Sequence, residues 1–560
     1  MIPMPRILAL WALFAAIARA AGLAPESESA ANAMSSSMPD GDVVHLREMI
    51  VVATRTEGNP WRHASIPGYE ILTRCGTSEN EFFINALLHG NLIQDSILPR
   101  RYLTPLSAAN TVILYDTKPT KTGSVVPNPA EWSSGDASLW GTVAHRELST
   151  PGGRADDLDT TVRCVNLWGV NIRTHLFAPS SFSFRLLRRT PWLPRWFVAG
   201  LIGPCGIYQH SLQPDAQWVD AKTGETAMTV LVPKLLWISD ADTELIRKNP
   251  AKAALLPLGE FFAQKDPHLS DAKSVWFAEA ALFVRWGIYG EPDKPNHQTA
   301  FWKFLDRATG EPVTEDMFRE CFGFGYLEMR SRLISYLPKA VDEIPRVQVG
   351  PAPEFDLPKP RIATEAEIAR MVGDWERIKG VSLKTKNPVL SRQYLEEAGR
   401  TLMRAYAKGN RDPQLLGVLG LYEHAVGADS QARDFLEAAA RGPIVRPSVY
   451  LTLAQLRFIE FKARPDGPDG RLGTRQIPEV LGPLSAARAQ VPAMTATYRL
   501  IADAWAHSAA KPSREDLAVL DEGVRLFPPD SALADTASGL YAQWGYAREP
   551  FETDDRSSQK

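Results

Sequence analysis

A proline-rich stretch divides the chain into two regions of different pattern. Five prolines occur between Pro345 and Pro360, in PRVQVGPAPEFDLPKP. Proline lacks a backbone N–H and clashes with the preceding turn, so this stretch cannot continue a helix. We therefore predict an extended linker over 341–362. A chain of 560 residues is also too long for one compact core, which agrees with a division into domains.

The region before the linker mixes strand and helix patterns. Short runs rich in β-branched residues predict strands at MIVVAT (49–54), GYEILTR (68–74) and TVILYD (111–116). Ser78 and Glu81 have capping-box spacing, which predicts that a helix starts there. Longer apolar runs, NIRTHLF, RWFVAGLI, SVWFAEAALFVRWGI, FWKFLDRA and FGYLEMRSRLISYL, predict further helices. The sequence thus predicts an α+β front domain over 49–340.

The region after the linker has only helical patterns. Amphipathic segments such as RQYLEEAGRTLMRAYA, SQARDFLEAAA and REDLAVLDEGVRL follow one another at short intervals. They pair into units close to the 34-residue period of tetratricopeptide repeats, which they resemble without the full consensus of that family. We predict an all-α domain of helical-hairpin, tetratricopeptide-like repeats over 363–548. The turn-rich PDGPDG (465–470) interrupts the array.

The two ends of the chain differ in composition from the two predicted domains. Arg6 precedes an apolar run, Ile7 to Ile17, and Ala18-Arg19-Ala20 offers small residues for cleavage, which predicts a signal peptide over 1–20. The composition predicts a polar, flexible lead over 21–48 and a polar tail over 549–560. The mature protein is thus expected to be exported, to the periplasm or the exterior. It has no run of 18 apolar residues, so no transmembrane segment is expected.

Charge and cysteine content restrict the partners and cross-links. The formal net charge of −3 supplies no basic field, so nucleic acid is not expected as a partner. Export would allow disulfides among Cys75, Cys164, Cys205 and Cys321. Four cysteines allow three complete pairings, and four buried thiols remain an alternative. Their wide spacing matches no CxxC metal or redox motif.

The common hydrolytic motifs are missing from the sequence. It contains no GxSxG, no GxxxxGK[ST] and no HExxH. However, PWLPRWFVAGLIG (Pro191 to Gly203) is similar to the P-x-W-[FL]-x-E-G-L-A segment of the peptidase MA-like gluzincins, a family of zinc peptidases. The order of the helices between Leu255 and Leu337, including FGFGYLEMR, is also similar to that family. The resemblance implies a gluzincin-like fold for the front domain.

The same resemblance implies that the zinc ligands are lost. The family's HExxH provides two histidine ligands and a general base, and the E-G-L glutamate provides the third ligand. Carried over to this chain, the HExxH positions fall on NIRTH, so that Asn171 and Ile172 replace ligand and base and only His175 remains. Ala199 occupies the position of the third ligand. We therefore expect no metal, no cofactor and no catalytic residue by the family's route.

Several side chains remain candidates for binding in the former cleft: His175, Arg195, Trp196, Tyr208, His210 and Glu279. Arginines and tryptophans in RLLRRTPWLPRW could hold an anionic or aromatic ligand. For each there is a structural alternative. Glu279 and the arginines would then belong to solvated helix faces, the tryptophans to the core, and His175 to a hydrogen-bonded network.

These patterns predict an exported, non-catalytic peptidase-like protein. It would bind a peptide, a protein or a cell-envelope component through its cleft or its helical repeats. One alternative is an active metal-dependent hydrolase with a rebuilt site that lacks HExxH. Another is a repeat scaffold whose front domain is purely structural.

Overall fold

The computed structural model combines an α+β front with an all-helical rear, as the sequence predicts at this level. It describes residues 60–105, 110–115, 159–160, 162–166, 185–203, 206–207, 213–219, 226–232, 234–235, 237, 240–253, 255–263, 275–290, 297–351, 355–444, 446–528 and 531–547. The predicted signal peptide, lead, strand 49–54 and polar tail lie outside these residues. Gly58–Lys560 forms one compact unit.

The first sheet is built from five strands in the order β4-β3-β2-β1-β8. Strands β1 and β2 form an antiparallel hairpin, and β2, β3 and β4 run parallel. Gly68, at φ 86°, closes the hairpin in a conformation that favours glycine. The predicted strands 68–74 and 111–116 are confirmed. The strands are β1 Arg62–Ile66, β2 Tyr69–Thr73, β3 Asn110–Tyr115, β4 Val162–Asn166 and β8 Arg361–Ile362.

Helix α1 (Thr77–Ile97) follows β2 and buries Phe83 and Leu87 under the sheet. The capping box predicted from Ser78 and Glu81 is wrong. The N-cap is Gly76, two residues before Ser78, and no side chain caps the helix. Instead, Ser78 bonds to the neighbouring carboxylate of Glu79.

A layer of helices forms the largest core of the front. Its centre is α5, whose side chains are buried on every face over Trp276–Ile288. A helix buried all round has neighbours on all sides, and here they supply a dense set of aromatic rings. The helices are α2 Arg195–Ile202, α3 Asp240–Lys248, α4 Leu258–Ala263, α5 Val275–Tyr289, α6 His297–Gly310, α7 Glu315–Phe322 and α8 Tyr326–Asp342.

The proline-rich segment 341–362 takes part in both sheets. Strand β7 (Arg346–Pro351) pairs antiparallel with β6 (Thr226–Leu231), which pairs with β5 (Gln213–Val219) in a second, three-stranded sheet. Strand β8 then pairs with β1. The prolines do prevent a helix, as predicted, but the extended backbone they leave pairs with neighbouring strands instead of spanning a gap.

The rear is a succession of helices packed as hairpins. Pairs α9–α10, α11–α12 and α13–α14 pack most closely, and the first helices of successive pairs also touch. The helices are α9 Glu365–Leu383, α10 Pro388–Ala407, α11 Pro413–Val426, α12 Asp429–Ala440, α13 Pro447–Ala463, α14 Gln476–Arg488, α15 Thr495–Ala506, α16 Arg514–Leu526 and α17 Ser531–Gln543. The architecture is therefore repeat-like.

The helical rear and the first sheet share a core. Helix α9 starts at a capping box formed by Thr364 and Glu367. It packs Met371, Val372 and Trp375 with side chains of β2, β3 and β4. The array therefore begins as a layer on the sheet, without a spacer between them.

Candidate functional site

The segment that resembles the gluzincin ligand helix forms α2. Pro194 precedes it as N-cap in an extended conformation, and Gly203 follows it. Ala199, at the ligand position implied by the resemblance, is a methyl group with 1% exposure inside the front core. A methyl group donates no electron pair to a metal, so α2 offers no ligand at this position.

Gly200 sets how closely α2 approaches α5. A Cβ added at Gly200 would lie 2.4 Å from the carbonyl oxygen of Ala280 and 2.6 Å from the Val284 side chain. Only glycine permits this crossing without movement of a backbone. The small pair Ala199-Gly200 therefore serves helix packing.

Trp196, a predicted cleft residue, lies in the aromatic core. Its ring centroid is 5.3 Å from that of Phe283 and 5.7 Å from those of Phe262 and Phe304. The ring is buried, and its Nε1 has no hydrogen-bond acceptor among the described residues. Arg195, one residue earlier, is half-buried at the start of α2. Trp196 thus lies in the core, whereas Arg195 is partly exposed.

Glu279 is a buried acid of the front domain. It lies on α5 with 1% exposure, so its assignment to a solvated helix face is wrong. One carboxyl oxygen accepts a hydrogen bond from the Leu256 N–H at 2.8 Å. The other oxygen, Oε1, has no hydrogen-bond partner among the described residues.

Burial raises the pKa of Glu279 to about 8, because the Leu256 N–H and the more distant charge of Arg330 offset only part of the desolvation. The carboxyl group is therefore mostly protonated at neutral pH. A protonated acid is a poor metal ligand, but it can donate a hydrogen bond or a proton.

The arginines of RLLRRTPWLPRW hold the segment in place. Arg185 is buried, donates to Asp95 at 2.7 Å, and also donates to the backbone oxygen of Thr104 at 3.2 Å. Arg189 donates to the backbone oxygen of Arg101 at 3.0 Å. Their assignment to a solvated face is wrong for Arg185, which is an internal ion-pair partner.

Trp192 joins this segment to the helical array. Its ring lies 5.1 Å from the Phe527 ring, edge to face. Leu187, Arg188, Trp192, Pro492, Ala493, Met494 and Phe527 line a small cleft at this contact. Here an aromatic side chain of the front contacts the loop edge of the array, where α15 begins and α16 ends.

A second contact of front and array is ionic. Arg446, just before α13, donates to Asp374 of α9 at 2.6 Å and to Asp159, ahead of β4, at 3.3 Å. Asp159 also accepts from the Ser448 N–H at 2.8 Å, and Arg377 pairs with Asp374. No sequence pattern indicated this network, because its members are far apart in the chain.

Another polar cluster, around His63, was not indicated by any sequence motif. It joins β1, β2, β8 and α9 through His63, Glu70, Arg361, Glu367 and Arg370. The only signal was a charged residue, Glu70, inside the otherwise apolar strand GYEILT.

Several predicted site residues lie outside the described residues, namely Asn171, Ile172, His175, Tyr208 and His210, as does Cys205. The described ranges contain no group of three His, Cys, Asp or Glu side chains arranged to hold a metal ion. Within the same ranges, no helix has both the length and the apolar character needed to cross a bilayer. Comparison of the chain with protein-family models, with curated proteins and with solved structures finds no match.

Proposed function

We propose that this protein is an exported, non-catalytic relative of the gluzincin peptidases that binds a peptide, a protein or a cell-envelope component. The observation that carries the proposal is Ala199, a buried methyl group where the resemblance requires a glutamate ligand. Its neighbour Gly200 is committed to the contact with α5. A glutamate at 199 would bring an unpaired charge into this apolar core, which is costly.

The way the array joins the front also favours a binding role for the whole chain. Apolar packing of α9 on the sheet, the Trp192 contact and the Arg446 network all connect the two regions. The front domain thus covers one face of α9, the array's first helix, and part of the array's loop edge. A partner would contact a composite surface, or those helix faces that remain exposed.

Metal content tests this proposal. The full mature chain is purified, treated with a mild chelator and analysed for zinc, and it is then assayed for hydrolysis of an unstructured protein and for saturable binding of a peptide library. We expect less than stoichiometric zinc, no hydrolysis and binding of one class of peptide. Stoichiometric zinc that survives chelation, together with hydrolysis, would contradict the proposal.

A second function, hydrolysis at a rebuilt site, has one observation in its favour. The Glu279 carboxyl has a raised pKa of about 8 and one oxygen without a hydrogen-bond partner among the described residues. Acids perturbed in this way are frequent in active sites. Its burial argues for a structural role, since a catalytic acid must reach its substrate. Hydrolysis by the wild type that the Glu279→Gln variant lacks would favour the second function.

The third reading, a scaffold with a structural front, needs a test on the intact chain. Isolated residues 361–548 would expose the face of α9 that carries Met371, Val372 and Trp375, so partners recovered with this fragment would be unreliable. Trp192→Ala in the full chain changes the front-to-array contact while leaving the array sequence intact. Peptide binding unaffected by that change, and by surface changes on the front, would favour the scaffold.

A further inference from the structure

The cluster around His63 has an arrangement that responds to protons. His63 lies in β1, has 7% exposure, and has a carboxylate on either side of its ring. Its Nε2 is 3.7 Å from Oε1 of Glu70, and its Nδ1 is 3.7 Å from Oε1 of Glu367. These distances exceed a hydrogen bond, and Nε2 has no hydrogen-bond partner among the described residues.

Each of the two carboxylates also has an arginine. Arg370 of α9 donates to both oxygens of Glu70 at 2.7 Å. Arg361 of β8 donates to both oxygens of Glu367, one of them at 2.8 Å. Besides these four groups, Asp412 acts on the charge of Arg370.

Both carboxylates stay charged throughout the neutral range. Burial raises the pKa of Glu70, but His63 and the Arg370 pair lower it further, to about 2. Burial likewise raises the pKa of Glu367, which Arg361, the Thr364 N–H and His63 bring down to about 2. The imidazole of His63 is therefore the group of this cluster that can gain or lose a proton while the carboxylates and the guanidinium groups stay charged.

A neutral imidazole cannot satisfy two carboxylates. It has one N–H and one lone pair, so in either tautomer a ring nitrogen lone pair faces a carboxylate oxygen. Protonation converts both nitrogens into donors, and the contact with each carboxylate becomes attractive. The two arginines reduce the gain, since each carboxylate already has a cation, but a carboxylate accepts several hydrogen bonds.

The position of the cluster connects the protonation of His63 to the contact between the first sheet and the array. Glu70 belongs to β2, while Glu367 lies in the first turn of α9, at the point where the chain passes from sheet to array. We propose that protonated His63 binds Glu70 and Glu367 at the same time and thereby holds the start of α9 and strand β8 against the β1–β2 hairpin. This link of His63 with the two carboxylates is the clasp. The junction of front and array is thereby tighter when His63 is protonated than when it is neutral. The inference does not depend on the function proposed above.

The protonation itself is measured on the wild-type protein. Exchange of the imidazole Cε1 hydrogen with deuterium, followed by mass spectrometry of the peptide that contains His63, reports the charge of this one ring. We expect the exchange rate to differ between acidic and alkaline solution, because the proposal requires that the ring gains a proton. A ring whose exchange rate is the same in both would overturn the proposal, whether or not any variant folds.

The clasp is measured by backbone amide exchange in the full chain. After correction for intrinsic rates, peptides covering 361–370 should exchange more slowly at pH 5.5 than at pH 8. Glu376, on the same helix, has a pKa raised by burial to about 8 and acts in the same direction. The readout is therefore the ratio of the exchange rates at pH 8 and pH 5.5, compared between wild type and His63→Gln. We expect this ratio to be about threefold larger in the wild type.

A matched control is His424, an exposed histidine 2.8 Å from a single carboxylate, Asp429. His424→Gln should leave the exchange of 361–370 as in the wild type. If His63→Gln retains the full pH dependence of the wild type, or if His424→Gln removes as much of it, the clasp is not at His63.

Discussion

Two buried carboxyl groups show how differently the front core and its junction with the array are held. Glu279 lies in the front core, where its described hydrogen bond comes from a backbone N–H, and burial raises its pKa to about 8. Asp374 lies at the junction. Burial raises its pKa too, yet Arg446 and Arg377 bring it below the ordinary value. The neighbours, and not the depth of burial, decide which acid carries a charge.

The comparison extends to the way each region is stabilised. Around α5, aromatic rings pack on one another, and such packing is strong but has little directionality. At the junction, Arg446 bridges Asp159 of the front and Asp374 of the array in a fixed geometry. A buried ionic bridge adds little stability over an apolar contact, but losing one partner is costly. The junction should therefore be the more fragile region.

The largest effect is expected at Arg446. Arg446→Met leaves Asp159 and part of the Asp374 carboxylate buried without their cation, which should cost about 3–5 kcal/mol. Urea unfolding followed by circular dichroism measures the loss. Adding Asp159→Asn and Asp374→Asn to Arg446→Met removes the uncompensated charges and should recover part of it. Equal stabilities of wild type and Arg446→Met would show that the bridge does not hold the junction.

A pH-dependent effect is expected at Glu279. Because its folded pKa is raised from 4.5 to about 8, the unfolded chain loses this proton first. The stability contributed by Glu279 is complete below about pH 4.5 and is lost as the pH rises to about 8. Glu279→Gln should remove this slope, so that wild type loses about 3.5 kcal/mol more than the variant between pH 5 and pH 8. Urea unfolding at the two pH values measures it.

Glu260, an exposed acid on α4, is the matched control for this titration. Glu260→Gln should keep the wild-type slope. A Glu279→Gln variant that also kept it would mean that the carboxyl group is charged in the folded protein, and the contrast with Asp374 would disappear.

Helix packing at Gly200 gives the next effect. Gly200→Ala places a methyl group against the Ala280 carbonyl and the Val284 side chain, and the helices must separate. Such overpacking should cost about 2 kcal/mol. Gly482→Ala is the matched control, because a Cβ there meets nothing within 4 Å and alanine favours helix. The difference in urea midpoint between the two variants measures the effect; a neutral Gly200→Ala would place α2 farther from α5.

Sequence patterns predicted those features that depend on local chemistry. Most helices of the array were found from their apolar patterns, although the predicted segments did not include α9 or α14. Strands β2 and β3 were found because their β-branched residues form short runs. The prolines after α8 correctly excluded a helix. Their pairing partners could not be predicted, because a strand at 346–351 is stabilised by β6, more than a hundred residues away.

The candidate site was also predictable only in part, because its contacts join residues that are far apart in the sequence. The sequence placed Ala199 in a helix, and the prolines before it gave the boundary. It did not indicate that Glu279 is buried, since an acid beside an arginine within an apolar helix is equally typical of a solvated stripe. Nor did it indicate the meeting of His63 and Glu367, which are brought together by β8 returning to the first sheet.

The smallest effect is expected for an ion pair that resembles the junction in composition but not in surroundings. Arg400 pairs with Glu397 on the exposed face of α10, three residues apart. Water screens both charges and competes for their hydrogen bonds, so Arg400→Ala should cost about 0.3 kcal/mol. Urea unfolding of this variant beside Arg446→Met compares the same kind of pair at the surface and in the interior. A loss at Arg400 as large as that at Arg446 would mean that burial does not explain the fragility of the junction.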